Sequence, residues 1–274
     1  MAQDHLTAVA ELAAAAARAG GAVLREGYGQ VHSVRFKGEV DLVTEVDLRS
    51  ERTVVGIIRD RFPRHQILAE EGTTGGDDPA HRWIIDPLDG TTNYAHGMRA
   101  FCVSVGYELE GELAVGAIYD PNLDELYLAQ AGGGATLNGA PIRVSDTTDL
   151  ARALLATGFP YDRARLPIAL RQFAALSAQS QAVRRIGSAA LDCAWVAAGR
   201  FDGYWEGAVS PWDVAAGALI AAEAGARVTD LSGAPFRADA GTILTCTPAL
   251  YDALFAAVQA AGVESPPAPN HGGE

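Results

Sequence analysis

The sequence is short of positive charge and has no long block of either sign. It carries 21 basic and 34 acidic residues, so its formal net charge is −13 at pH 7. A chain without a basic patch offers nucleic acid no suitable surface, and we expect no nucleic-acid partner. An acidic protein that handles an anionic substrate needs cations to do so, which points to metal ions.

Cysteine is also scarce. Cys102, Cys193 and Cys246 are far apart, and none belongs to a C-x-x-C pair. Their odd number and wide spacing argue against a disulfide framework and against a cysteine zinc site. We therefore expect a reducing, cytoplasmic location.

We also expect no long apolar run, since no stretch approaches the ~20 apolar residues that a membrane span requires. The alanine-rich N-terminus could be mistaken for a signal peptide. However, Asp4 stands where a basic residue is expected, and Glu11 and Arg18 interrupt the apolar character. An amphipathic helix over 4–26 is the better prediction, with no membrane association.

The sequence does have the content of a large layered domain, with 274 residues of which 49% are hydrophobic. We predict one domain over 1–262, with a mostly antiparallel half to about 145 and an alternating half after it. The tail, 263–274, is rich in proline and polar residues and is predicted to be disordered. The expected elements are helices at 45–61, 165–179, 188–199 and 211–224, β structure over 82–144, a hairpin at Asn138-Gly139, and strands at 153–158, 182–187, 201–206 and 242–246.

The segment RWIIDPLDGTTNYAHG (82–97) places two aspartates, Asp86 and Asp89, at the end of an apolar run. Pro87 fixes its φ and lacks an N–H donor, so the chain bends rigidly there. Gly90 allows the backbone to approach a ligand closely. Two neighbouring carboxylates repel each other unless they are protonated or bind cations, and Mg²⁺ prefers such oxygen ligands.

A helix that begins at Thr91 or Thr92 would add an anion site, because its first N–H groups have no partner in the helix. A turn in which Asp89 only caps that helix explains the segment equally well. The segment also resembles the nucleophile motif of haloacid-dehalogenase phosphatases. In that motif the aspartates are two residues apart, whereas here they are three apart, so the fit is poor.

Two further segments contain acids in similar positions. ILAEEG (67–72) ends an apolar run with Glu70, which by itself is typical of a solvated loop. SPWDVAAGALIAAEAG (210–225) has Ser210 as an N-cap and Asp213 three residues later, a spacing that also fits a capping box.

Together, the three segments resemble the inositol monophosphatase family. WIIDPLDGTTNYAHG and PWDVAAGALIAAEAG are similar to that family's two signature segments, and AEEG lies at the expected distance before the first. The resemblance extends from KGEVDLVTEVD (37–47) to about residue 260. It implies an α/β fold with five layers, the α-β-α-β-α sandwich shared with fructose-1,6-bisphosphatase, and a Mg²⁺-dependent phosphatase.

The resemblance also implies a metal site with two to three Mg²⁺ ions. Glu70, Asp86 and the carbonyl of Leu88 would hold the first ion, and Glu70 could help a weaker third through water. Asp86, Asp89 and Asp213 would hold the second. Four carboxylates balance the charge of two divalent ions, which leaves room for a third when phosphate binds.

The expected catalytic residues are Glu70, Asp47 and Thr91. By resemblance, Asp47 hydrogen-bonds Thr91, and this pair helps to activate a metal-bound water that attacks phosphorus in line, without a covalent intermediate. Locally, Asp47 also fits a capping box with Thr44. The amides of Gly90 and Thr91 would stabilise the phosphate oxygens.

For the substrate, the resemblance adds a loop and a strand-end acid, Glu206, which could alternatively be a simple surface acid. The Thr-Thr-Asn after Asp-Gly is typical of inositol monophosphatases rather than of the sulfur-assimilation bisphosphate phosphatases. The expected substrate-binding residues are Leu88, Asp89, Gly90, Thr91, Gly187, Ser188, Ala189, Glu206 and Asp213.

The expected reaction is hydrolysis of myo-inositol 1-phosphate, a small phosphorylated polyol. Histidinol phosphate and fructose 1,6-bisphosphate are the rival substrates. A non-catalytic binding or regulatory relative is the alternative of another class, but such a relative should lose metal ligands, and all of them are present here. The resemblance further implies a homodimer and inhibition by Li⁺.

Overall fold

The computed structural model describes residues 2–30, 34–36 and 42–263. The start of the 37–47 segment and nearly all of the proline-rich tail lie outside the described residues. Within them, the helices are α1 (Ala2–Gly27), α2 (Glu45–Arg61), α3 (Thr91–Ala95), α4 (Leu166–Ser177), α5 (Ala189–Ala197), α6 (Pro211–Glu223) and α7 (Tyr251–Ala261). A two-stranded antiparallel ribbon, β1 (Val34–Phe36) and β2 (Leu42–Thr44), precedes α2.

The larger sheet has eight strands and belongs to the first half of the chain. In chain order they are β3 (His65–Ala69), β4 (Thr74–Gly75), β5 (Asp78–Asp89), β6 (Cys102–Leu109), β7 (Glu112–Asp120), β8 (Glu125–Gln130), β9 (Gly134–Leu137) and β10 (Ala140–Pro141). Their spatial order is β10-β9-β8-β7-β6-β5-β3-β4. All neighbours are antiparallel except β3 and β5, which run parallel.

The smaller sheet has five strands and belongs to the second half. They are β11 (Leu154–Thr157), β12 (Ala182–Arg184), β13 (Gly203–Gly207), β14 (Arg227–Thr229) and β15 (Thr242–Cys246), in the spatial order β12-β11-β13-β15-β14. β11 is parallel to β12 and β13, whereas β15 is antiparallel to β13 and β14.

The two sheets and the helices between and outside them form five layers. Helices α1 and α2 pack on the outer face of the larger sheet, and α5 and α6 fill the space between the two sheets. Helices α4 and α7 cover the outer face of the smaller sheet. The predicted α-β-α-β-α sandwich is confirmed.

Helix α1 confirms the prediction of an N-terminal helix but corrects the statement about apolar length. Residues His5–Gly27 are long and apolar enough to cross a membrane by length and composition alone. One face of the helix is nevertheless buried in the outer core, with Val9, Ala13 and Leu24 fully buried. The helix therefore packs against the larger sheet as a core element.

The structure also refines the predicted strands. Strand β5 starts at Asp78, a few residues earlier than expected, and continues through Asp86 to Asp89 with a bulge, whereas a bend that ends the strand was expected there. Its parallel partner β3 was not predicted. The Asn138-Gly139 hairpin is present, with Asn138 at φ 49°. All three cysteines are buried free thiols, in agreement with the absence of a disulfide framework.

Candidate active site

A cleft opens where the two halves of the chain meet. Its walls include every predicted metal-ligating and substrate-binding residue: Glu70, Asp86, Leu88, Asp89, Gly90, Thr91, Gly187, Ser188, Ala189, Glu206 and Asp213. Asp47 lies behind the wall. The cleft also contains five residues that the sequence did not single out, namely Gly158, Phe159, Tyr161, Arg185 and Asp192.

The turn that carries Asp86 and Asp89 interrupts the pairing of β5 with β6 by a bulge between these two residues. The N–H of Leu88 donates to Asp86 Oδ1 at 2.9 Å, which fixes the irregular backbone of this bulge within β5. Gly90 has φ 94°, and a Cβ there would lie 2.7 Å from the carbonyl oxygen of Ala100. Only glycine fits this position, and α3 begins at the next residue, as predicted.

Thr91 and Asp47 meet behind the cleft, in the buried core. Thr91 Oγ1 lies 3.0 Å from Asp47 Oδ1 and 3.0 Å from the Leu88 carbonyl oxygen. Asp47 Oδ2 accepts the Thr44 N–H at 2.9 Å, so the predicted capping box exists as well. Burial raises the pKa of Asp47, and its hydrogen bonds to Thr44 oppose that shift.

Asp89 is held by the N-terminus of α5, which belongs to the other half of the chain. Its Oδ2 accepts hydrogen bonds from the Ser188 hydroxyl at 2.6 Å and from the Ala190 N–H at 2.8 Å. Burial raises the pKa of Asp89 to about 6, and these two hydrogen bonds oppose the shift. The first turn of α5 thus fixes one acid of the cleft in place.

Asp213 has both of the roles considered for it from sequence. The Ser210 N–H donates to Asp213 Oδ2 at 2.7 Å in a capping box at the start of α6. The same carboxylate lines the cleft. Capping fixes the direction of the side chain, so that one acid serves the helix and the cleft together.

The loop that carries Glu70 is shaped by an acid that sequence reasoning missed. Glu51, buried on α2, accepts the N–H groups of Glu71 at 2.8 Å and Thr73 at 3.2 Å. The Glu70 N–H donates to the Ile85 carbonyl oxygen at 3.1 Å, which ties the loop to β5. The available signal was Glu51 itself, four residues after Asp47 on the same buried helix face.

Asn93 is a second residue that the sequence analysis did not recognise. Its side-chain N–H groups donate to the carbonyl oxygens of Ala100 at 2.7 Å and Ile186 at 2.9 Å. These bonds connect α3 to the loop that leads to Gly187 and Ser188. The asparagine of the Thr-Thr-Asn run therefore joins α3 to the loop of Gly187 and Ser188 in the cleft wall.

Four of the six acids that line the cleft, Glu70, Asp86, Asp89 and Asp213, form a strongly repulsive cluster. The pKa of Asp86 lies well above its usual value, first because of burial and then because of Glu70, Asp89 and Asp213. The pKa of Asp213 is likewise raised by burial and by Asp89. Hard oxygen donors at such density suit divalent cations, which remove the repulsion, so the donor set fits Mg²⁺.

A separate group of possible metal ligands, His65, Asp78 and His81, lies at the opposite ends of strands β3 and β5. The two imidazole rings are stacked 4.3 Å apart and are nearly parallel. His65 Nδ1 faces Trp83 Nε1 at 3.1 Å. Lone pairs in two parallel ring planes cannot point at one ion, so this arrangement is a packed aromatic stack.

The remaining side of the cleft carries Glu206, which lies on the inner face of β13. Tyr204 donates its hydroxyl to Glu206 Oε2 at 2.6 Å. Burial raises the pKa of Glu206 to about 7; the Tyr204 bond lowers it, as does the charge of Arg185. This half of the cleft has the hydrogen-bonding groups to contact an alcohol.

The layered fold and this cleft, with an acid cluster beside a helix N-terminus, define a hydrolase of phosphate monoesters. The family model described as "Inositol monophosphatase family" matches residues 5–262. The chain belongs to the inositol monophosphatase family, whose members are generally metal-dependent.

Individual relatives are similar over most of their length. The chain is 44% identical over 253 residues to the inositol-1-monophosphatase of a Synechocystis strain, covering 91% of this chain and 88% of that protein. It is 40% identical to the Nus factor SuhB of Pasteurella multocida, covering 90% and 94%. The solved inositol monophosphatase from Anabaena has a TM-score of 0.85 and 46% identity, covering 93% and 97%.

Proposed function

We propose that this protein hydrolyses myo-inositol 1-phosphate to myo-inositol and phosphate in a Mg²⁺-dependent reaction, by direct in-line attack of water. The observation that carries the proposal is the convergence of four carboxylates, Glu70, Asp86, Asp89 and Asp213, beside the first turn of α3. The names of the Synechocystis and Anabaena relatives support the choice of inositol phosphate. We treat 1–262 as one domain, because both halves of the chain contribute to the cleft.

The metal-binding residues of the proposal are Glu70, Asp86, the Leu88 carbonyl, Asp89 and Asp213, with two to three Mg²⁺ ions. Bound there, Mg²⁺ supplies the positive charge that neutralises phosphate and makes water a better nucleophile. The acids of the cleft suit this role because they repel one another without cations.

The chain's own groups would position the phosphate and the water. The amides of Gly90 and Thr91 lie at the start of α3, where backbone N–H groups can stabilise phosphate oxygens. Thr91 donates its hydroxyl hydrogen to Asp47 Oδ1, which would leave a lone pair of the Thr91 oxygen to accept a hydrogen bond from the attacking water. Asp47 and Thr91, with Glu70, are therefore the proposed catalytic residues.

The alcohol of the substrate would lie on the far side of the cleft. Glu206 would accept hydrogen bonds from its hydroxyl groups there, and the loop of Gly187, Ser188 and Ala189 also lines the cleft. A site built to hydrogen-bond hydroxyls discriminates strongly against esters that lack them.

The test is phosphate release from a panel of esters that includes myo-inositol 1-phosphate, histidinol phosphate, fructose 1,6-bisphosphate and p-nitrophenyl phosphate. We expect the highest kcat/KM for myo-inositol 1-phosphate. A preference for histidinol phosphate or for the bisphosphate would replace the proposed substrate but keep the chemistry. A borohydride-reducible phosphoryl-aspartate at Asp86 would instead overturn direct attack by water.

The proposal also includes a homodimer, a cytoplasmic location and inhibition by Li⁺ through competition for a metal position. The three free thiols are consistent with a reducing compartment. Light scattering of the purified protein and a Li⁺ titration of its activity test the first and third points. Several relatives are named Nus factor SuhB; we propose the phosphatase for this chain, because a non-catalytic relative should lose metal ligands, and Glu70, Asp86, Asp89 and Asp213 are all present.

A further inference from the structure

Asp192 is a buried acid in the cleft wall for which the function described so far has no use. It belongs to the first turns of α5, and only 1% of its surface is exposed. Its Oδ1 has no hydrogen-bond partner within the part of the chain that the structure describes. Since leaving a buried carboxyl oxygen without a partner costs free energy, such a group calls for a functional explanation.

Asp192 lies near Glu206 and Arg185 in the cleft wall, on the side where the alcohol of the proposed substrate would bind; this is the alcohol side of the cleft. The charges that act on it are those of Glu206, Asp89 and Arg185, all of which line the same cleft. Burial is the main cause of its raised pKa, and Glu206 and Asp89 add to the shift. Two carboxyl groups, from α5 and from β13, therefore face the space that the substrate's alcohol would enter.

A comparison with Asp120 shows that burial alone does not explain this arrangement. Asp120 is also buried and has one oxygen without a partner, but its other oxygen accepts the Asn122 N–H at 2.8 Å in the β7–β8 turn. Asp120 thus has a local structural use. Among the residues that the structure describes, none donates such a hydrogen bond to the Asp192 carboxyl group, which lines the cleft instead.

We propose that Asp192 is a substrate-binding residue that, together with Glu206, accepts hydrogen bonds from two hydroxyl groups of the alcohol. The inference rests on the proposed function and narrows the substrate class to phosphate esters of polyols with at least two free hydroxyls. Two acceptors on different elements fix the orientation of the ring, whereas a single acceptor leaves it free to rotate.

The test compares Asp192→Ala and Asp192→Asn with the matched control Asp120→Asn. The assay measures kcat/KM for myo-inositol 1-phosphate and for p-nitrophenyl phosphate in the presence of Mg²⁺. Asp192→Ala should lower kcat/KM for the inositol ester by about 5- to 100-fold and leave the p-nitrophenyl ester within about threefold. Asp192→Asn should fall between Asp192→Ala and the wild type, and the control should leave the ratio of the two values unchanged.

Monodeoxy analogues of myo-inositol 1-phosphate add a second readout. For the analogue that lacks the hydroxyl bound by Asp192, the wild type and Asp192→Ala should have similar kcat/KM values. Equal losses on both esters, or an unchanged ratio in Asp192→Ala, would refute the assignment while leaving the proposed function intact. A wild type that shows no preference for any polyol ester would instead refute the proposed function and this inference with it.

Discussion

The substitution Gly158→Ala tests most sharply the proposal that Glu206 binds the alcohol of the substrate. Gly158 follows β11, and the parallel register that pairs Thr157 with Trp205 places it beside Glu206. A Cβ added to Gly158 would overlap the carboxyl carbon and both oxygens of Glu206. The backbone of Gly158 does not have a positive φ, so alanine itself is tolerated and the strain falls on the Glu206 side chain.

The Glu206 carboxylate has to move by about 1 Å or more to make room, and it would weaken its 2.6 Å hydrogen bond from Tyr204. A misplacement of ~1 Å can cost up to ~100-fold in rate. We therefore expect Gly158→Ala to lower kcat/KM for myo-inositol 1-phosphate by roughly 10- to 100-fold. Hydrolysis of p-nitrophenyl phosphate, which has no hydroxyl for Glu206 to bind, should change by less than about threefold.

The assay is steady-state phosphate release for Gly158→Ala, Glu206→Ala and the double variant. Because both substitutions act on one carboxylate, the double variant should be no worse than the poorer single variant. Gly207→Ala is the control, since a Cβ there meets nothing closer than Leu231 at 3.8 Å. Additive losses in the double variant, or full activity of Gly158→Ala on the inositol ester, would refute the reasoning.

Three further predictions concern the acids, the buried threonine and pH. Asp86→Asn should abolish nearly all phosphatase activity. In chelator it should raise the Tm by a few degrees, because it removes repulsion among the cleft acids. A lower Tm in chelator would contradict this. Thr91→Val should lower kcat by about 100-fold or more and destabilise the fold by ~1–3 kcal/mol, because Asp47 loses a buried hydrogen-bond donor. Thr91→Ser keeps the hydroxyl and should restore both kcat and stability. An inactive Thr91→Ser would count against a role for the hydroxyl. Burial lowers the pKa of His65 to about 4, so the folded state binds fewer protons than the unfolded state, whose pKa is about 6.5. The contribution of neutral His65 to stability is then complete above pH 6.5 and is lost as pH falls toward 4. Between pH 7 and 5, the free energy of unfolding in urea should therefore change by ~1–2 kcal/mol less in His65→Phe than in the wild type. Equal changes in the two proteins would exclude the effect.

Local chemistry explains why much of the cluster of Glu70, Asp86, Asp89 and Asp213 was predictable. Pro87 and Gly90 predict an irregular backbone beside Asp86 and Asp89, and α3 begins at Thr91, one of the two helix starts considered from the sequence. The place of Asp213 in the first turn of α6 was predictable for the same reason, since the spacing of a capping box is visible in the sequence.

The alcohol side depends on contacts between distant parts of the chain, which a single sequence does not show. Gly158 matters only because β11 and β13 pair in one particular register. Asp192 is a polar residue in an apolar helix, and its position in the cleft wall depends on how α5 packs between the sheets. The parallel partner β3 was missed because its short apolar run carries no signal of strand direction.

The most direct test of the central claim is a Mg²⁺ titration of phosphate release from myo-inositol 1-phosphate after thorough chelation of the wild-type protein. The account predicts no measurable release in chelator and full recovery of activity as Mg²⁺ is added back. Release of phosphate that persists in chelator would contradict the assignment of the carboxylate cluster as the metal site of a phosphatase.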